Sequence, residues 1–219
     1  MTPKTLSLPH LIRPPKHEVT RPPVLFMLHG YGSNEEDLFG FTPDLPEDLF
    51  IISIRAPHTL QPFGYAWYAI HFEAEKGKWN DVPQAVAARE DVLQFISEAI
   101  TAYGLDETRV NLLGFSQGSI ISYTIALLYP ERIKSLVALS GYIDPGLLGE
   151  GFEPGDYSGL SIYASHGQMD MVIPPEWAQQ AAEFLDQLGI EHVYEEFPVG
   201  HGVSPANFRS FLSWLRQHY

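Results

Sequence analysis

Apolar residues fall along this chain in two alternating rhythms. Short runs rich in β-branched and aromatic residues occupy 24–28, 49–54, 110–113, 135–139, 161–164 and 192–197, and the first of them, VLFML, contains no polar residue. Several of these runs are nearly all apolar, as strands covered on both faces are, which predicts the centre of a sheet flanked by helices. The stretches between them carry a helical period. Residues 82–103 place Val86, Val92, Phe95, Ile96 and Ile100 on one face and stop at Gly104; 119–128 is stopped by Pro130; 175–188 has Gly189 as its C-cap; 205–215 closes the chain. Such alternation predicts parallel βα units and an α/β fold, one domain over 1–219. Residues 1–23, interrupted by Pro3, Pro9, Pro14 and Pro15, are expected to form an irregular lead-in.

Two segments break the rhythm. One, 56–81, is crowded with Phe63, Tyr65, Trp67, Tyr68, Phe72 and Trp79; the other, 141–160, is rich in Gly and Pro. Segments of this length without an element of their own are often functional loops, and a plain surface connection is the other reading of the second.

Charge and composition narrow the function. With 27 acidic against 13 basic residues the net charge is −14, a field that repels phosphate backbones and anionic headgroups, so nucleic acid is excluded as a partner. The absence of cysteine removes disulfides, thiolate zinc sites and a cysteine nucleophile. The nine histidines are scattered without H-E-x-x-H spacing, so neither a metal nor a cofactor is expected. No stretch approaches the roughly 20 apolar residues of a membrane span, and residues 1–16 lack the unbroken apolar core of a signal peptide. The expectation is a cytoplasmic protein with no stable membrane association; a homodimer stays open.

Gly114-Phe115-Ser116-Gln117-Gly118 matches G-x-S-x-G, the turn that holds a nucleophilic serine above a sheet. By chance a chain of this length would contain the pattern on the order of one time in ten, so its context carries the weight. It follows the apolar run 110–113 and opens the helical stretch from 119, where the mechanism requires it. A serine hydroxyl needs a base, and the base an orienting carboxylate, in the chain order Ser, Asp, His. His201, in Val199-Gly200-His201-Gly202 after the last strand run, is the expected base; His166 is its rival, better suited to shaping the acid loop. Asp170, which follows the run 161–164, is the expected acid, with Asp144 as the alternative or a simple turn residue ahead of Pro145. Stabilising an oxyanion requires backbone N–H groups, expected from Gln117 and from Tyr31 in the glycine-rich Leu28-His29-Gly30-Tyr31-Gly32 loop. His29 is expected to brace that loop.

Together with Arg55-Ala56-Pro57, Ala66-Trp67-Tyr68, His166-Gly167-Gln168-Met169-Asp170 and Gly200-His201-Gly202, these motifs resemble the carboxylesterase and phospholipase family of α/β hydrolases that includes acyl-protein thioesterases. The resemblance runs from about residue 24 to the C-terminus. It implies a mostly parallel sheet with helices on both faces and no cap domain, Ser116, Asp170 and His201 as catalytic residues, Tyr31 and Gln117 as the oxyanion hole, and a small-molecule ester as substrate. Tyr31 stands where thioesterase-like members usually have leucine, which favours a serine carboxylesterase over the alternatives, an acyl-protein thioesterase or a lysophospholipase. A non-catalytic binding protein on the same scaffold is the rival of another class, and it commonly lacks one of the three residues. Without a cap, the substrate groove must be walled by loops at the carboxyl ends of the strands, for which Phe63, Trp67, Tyr68, Met171 and Val172 are the candidates. The other reading places Trp67 and Tyr68 in the core.

Overall fold

The computed structural model describes residues 1–73 and 77–219, with the backbone alone for 72, 73 and 77–79. The chain opens with β1 (His10–Arg13), β2 (Val24–Leu28) and β3 (Phe50–Ile54). Two small ribbons follow, β4 (His58–Thr59) with β5 (Tyr65–Ala66), and β6 (Ile70–Glu73) with β7 (Gly77–Asn80). Then come α1 (Val82–Tyr103), β8 (Val110–Phe115), α2 (Gln117–Leu128) and β9 (Ser135–Leu139). The single turn α3 (Pro145–Leu148), β10 (Ser161–Gly167), α4 (Pro175–Gln187), β11 (Glu191–Phe197) and α5 (Pro205–His218) complete it.

Seven strands make the central sheet in the order β1-β3-β2-β8-β9-β10-β11, parallel except where β1 runs against β3. All five residues of β2, β3 and β9 are buried, as the apolar runs require. The pleat sends alternate residues to two separate cores. Val24, Phe26, Leu28, Leu136 and Ala138 join α1, α2 and Leu185 of α4 on one face, whereas Leu25, Met27, Val137, Leu139 and Tyr163 meet Phe211, Trp214 and Leu215 of α5 on the other. The expected α/β arrangement with helices on both faces is therefore present.

The helix ends follow local chemistry. Asp81 caps α1 by accepting from the Gln84 N–H, Pro83 sits in the first turn, and Gly104 closes the helix in the left-handed conformation. Ser204 does the same for α5 by accepting from Asn207, ahead of Pro205.

The irregular lead-in expected over 1–23 needs one correction. Residues 10–13 form β1, an edge strand bounded by Pro9 and Pro14. Prolines at the ends of an edge strand cost no ladder hydrogen bond, so they frame it rather than forbid it. Likewise 56–81 holds the two ribbons, and 141–160 holds α3, which Asp144 caps by accepting from Gly146 N.

The strand order prepares the site. β3 lies to one side of β2 and β8 to the other, so the chain changes direction between them and leaves a crevice at the carboxyl ends of β2 and β8.

Candidate active site

Ser116 stands in that crevice, between the last residue of β8 and the first of α2. Its backbone has φ 54° and ψ −118°, a conformation that costs a non-glycine residue about 1–3 kcal/mol and persists only where the surroundings enforce it. The enforcement is visible. Ser116 N–H donates to Leu139 O of β9 at 2.9 Å, and its own carbonyl accepts from Ser119 N at 2.9 Å as the helix begins. A Cβ on Gly114 would lie 2.6 Å from the Gly118 carbonyl carbon, and one on Gly118 would collide with the carbonyl of Leu28. The glycines of G-x-S-x-G are thus dictated by the approach of α2 to β2 and β8. Gly118→Ala is accordingly expected to destabilise the fold by more than about 3 kcal/mol, since backbone atoms cannot yield as a side-chain tip does. An unchanged midpoint in chemical denaturation would contradict this packing.

Two further loops converge on the serine. The segment after β10 and the segment after β11 are bound together by Gln168 N–H to Phe197 O at 2.8 Å and Met169 N–H to Val199 O at 3.0 Å. Gly167 permits this approach, because a side chain there would strike the carbonyls of Val199 and Gly200. The result brings Asp170 to His201. His201 Nδ1 donates to Asp170 Oδ2 at 2.6 Å, which leaves Nε2 bare to accept from Ser116 Oγ at 2.9 Å. Asp170 Oδ1 accepts from the N–H groups of Val172 and Ile173 at 2.8 and 3.0 Å. Burial alone would raise the Asp170 carboxyl, but the Ile173 N–H, His201 and the Val172 N–H outweigh it and hold the group below its ordinary value. It is an anion aimed at the imidazole.

The rival assignments are not brought to the serine. His166 is fully buried behind the acid; its Nε2–H is shared between Ile173 O at 3.0 Å and Asp170 Oδ2 at 3.2 Å, and its Nδ1 has no hydrogen-bond partner. Asp144 accepts from Asn80 Nδ2 at 2.6 Å and from Gly146 N at 2.9 Å, away from His201.

The loop after β2 lies directly against Ser116, since a Cβ on Gly30 would be 3.3 Å from the serine Cβ. His29 fixes its path by donating from Nδ1 to Gly30 O at 2.8 Å and accepting the Ala56 N–H at Nε2 at 3.1 Å. Burial pushes the His29 pKa down, which keeps this neutral tautomer in place. Tyr31 follows on this loop, and Gln117 heads α2, where the first N–H groups have no partner within the helix. The Gln117 side chain is held from above, accepting from Trp67 N at 2.8 Å and donating to Tyr68 O at 2.8 Å.

Of the five expected groove residues, Trp67 and Tyr68 are corrected to the core: both are 0% exposed, and Trp67 Nε1 donates to His29 O at 2.8 Å. They clamp the elbow and the β2 loop instead of facing a ligand. Phe63, Met171 and Val172 are 78%, 94% and 53% exposed, Met171 and Val172 on the loop that carries Asp170. The side chains of Phe72 and Trp79 lie outside the described residues.

A cavity of about 770 Å³ lies between the start of α1, the α3 turn and α4, and its described lining includes none of Ser116, Asp170 and His201. Gly141, which packs on Ser119 and beside the Ser116 carbonyl, directly precedes Tyr142 in the chain, and Tyr142 and Asp144 both line the cavity. Phe152, Trp177 and Phe184 complete the aromatic lining. The sequence reading missed Trp177 and Phe184 because they are spaced as two turns of an ordinary helix face, and nothing local marks that face as lining a cavity.

Comparison with known proteins follows the same lines. The family model described as phospholipase/carboxylesterase matches residues 11–219. A probable carboxylesterase of Arabidopsis thaliana, SOBER1-like, is 30% identical over 156 residues, 69% of this chain and 58% of its own length. A probable carboxylesterase of rice, Oryza sativa subsp. japonica, is 28% identical over 156 residues, 70% of this chain and 58% of its own. The matched stretch therefore spans under two thirds of either relative. The crystal structure of esterase PE8 superposes with a TM-score of 0.83 at 25% identity, covering 98% of this chain and all of that one.

Proposed function

The chain belongs to the phospholipase/carboxylesterase family, and from that premise we propose that it is a carboxylic ester hydrolase working through an acyl-enzyme on Ser116. The observation that supports this reading most is the continuous chain from Ser116 Oγ to His201 Nε2 at 2.9 Å and from His201 Nδ1 to Asp170 at 2.6 Å. As Ser116 Oγ attacks the ester carbonyl, its proton passes to His201 Nε2, and the imidazolium is stabilised by the Asp170 anion. The carbonyl oxygen, now an alkoxide, is held by the N–H groups of Tyr31 and Gln117, the second of them at the positive end of α2. His201 then protonates the leaving alcohol, and water repeats the sequence to release the acid.

The apolar part of the ester enters the cavity lined by Trp177 and Phe184, with the exposed Phe63, Met171 and Val172 bordering its approach. A volume of about 770 Å³ is ample for a medium-length group. Each methylene buried is worth about 0.8 kcal/mol, so kcat/KM for p-nitrophenyl esters is expected to rise about three- to fourfold per added CH₂ until the cavity is full. Trp177→Ala should flatten that slope. A slope unchanged in Trp177→Ala but lost in Phe63→Ala would move the binding site to the exposed rim. The same panel, run beside an acyl-CoA and a lysophospholipid, separates a carboxylesterase from the thioesterase and lysophospholipase alternatives. Among the described residues no helix is long and apolar enough to cross a membrane.

A further inference from the structure

The geometry points to a binding site for an ammonium group carried by the ester, in the cavity walled by Tyr142, Phe152, Trp177 and Phe184 with Asp144 among them. This rests on the reading of Ser116 as nucleophile. For a purely apolar guest the rings alone would suffice, and a carboxylate in the wall would be a penalty, because covering it with hydrocarbon strips its water without replacing it. Here the carboxylate lies in the lining itself. Among the described residues Asp144 Oδ1 accepts from Gly146 N at 2.9 Å and Oδ2 from Asn80 Nδ2 at 2.6 Å, whereas an ionised carboxylate can accept at about four positions. Among the described residues no Lys, Arg or His pairs with it.

The rings supply the complementary half. Tyr142 and Trp177 meet edge to face with centroids 4.8 Å apart, and Phe152 and Phe184 pack on each other with centroids 6.2 Å apart in the same lining. A lining that combines aromatic rings with one carboxylate suits a quaternary ammonium, since the cation is attracted to ring faces and to the anion while its methyl groups are still covered. The net charge of −14 adds a general attraction for cations, which is why the test must separate the pocket from the field.

Capping of α3 does not account for the charge, because asparagine caps a helix about as well as aspartate. Asp144→Asn therefore keeps the turn and removes the anion. Two substrate pairs ask which side of the ester enters the cavity. Butyrylcholine is compared with its carbon isostere, in which a quaternary carbon replaces the nitrogen, and p-nitrophenyl γ-trimethylammoniobutyrate is compared with its own carbon isostere. In one pair the ammonium ester is expected to show a kcat/KM about tenfold higher or more, a preference that persists in about 0.5 M salt and falls close to parity in Asp144→Asn. Equal values within both pairs overturn the assignment, as does a preference that survives Asp144→Asn or vanishes with salt, which would belong to the general field. If no ester is turned over, the reading of Ser116 fails instead, and calorimetric titration with butyltrimethylammonium still decides the pocket. Saturable binding that Asp144→Asn weakens about tenfold supports it, and no binding, or equal binding in the two proteins, overturns it.

Discussion

Ser116→Ala is expected to lower kcat for a soluble ester by at least about 10³-fold and to abolish covalent labelling by a fluorophosphonate. The substitution removes the one oxygen facing His201 Nε2, while leaving the turn, which is held by main-chain bonds to Leu139 and Ser119. Alanine is also no worse than serine at the positive φ of this position, so the fold should persist and the loss should fall on chemistry. Residual turnover above water would come from the N–H groups of Tyr31 and Gln117, which the substitution does not touch. Full activity in Ser116→Ala, with labelling elsewhere on the chain, would end the proposal.

Asp170→Asn carries the second large effect, a fall in kcat of about 10³ to 10⁴. The amide keeps the shape but replaces an anion by a group that can present its NH₂ to the imidazole. His201 then turns its other tautomer to the acid site, and Nε2 carries a proton toward Ser116 instead of accepting one. The developing imidazolium also loses its counter-charge. The main-chain bonds from Val172 and Ile173 to Oδ1 can be kept by the amide oxygen, so circular dichroism and thermal midpoint should change far less than kcat. Activity within about tenfold of the parent would move the acid to another residue.

Much of the fold was legible because burial on both faces of a parallel strand favours a nearly all-apolar run: 24–28 is unbroken, and 110–113 and 135–139 carry one polar residue each, Asn111 and Ser135. Several boundaries were not. β8 continues through Gly114 and Phe115, and β10 continues through His166 and Gly167, because those residues join the ladder by pairing with neighbouring strands rather than by hydropathy. β1 was hidden by its flanking prolines. The candidate triad was legible for another reason. The elbow requires two glycines around one serine, and the order Ser, Asp, His follows from the order in which strands reach the carboxyl edge of the sheet, so motif and position point to the same residues.

What the sequence by itself determined is the class of fold and the candidate reactive groups, since hydrophobic period and the steric demands of a tight turn are local and leave their mark within a few residues. What only the tertiary structure decided is arrangement in space: that Trp67 and Tyr68 clamp Gln117 from within the core, that His166 stands behind Asp170, and that Asp144 shares a cavity lining with four aromatic residues. Those relations join residues from 2 to 50 positions apart through loop paths, and a loop path is set by the packing of the elements it connects, which no local pattern records.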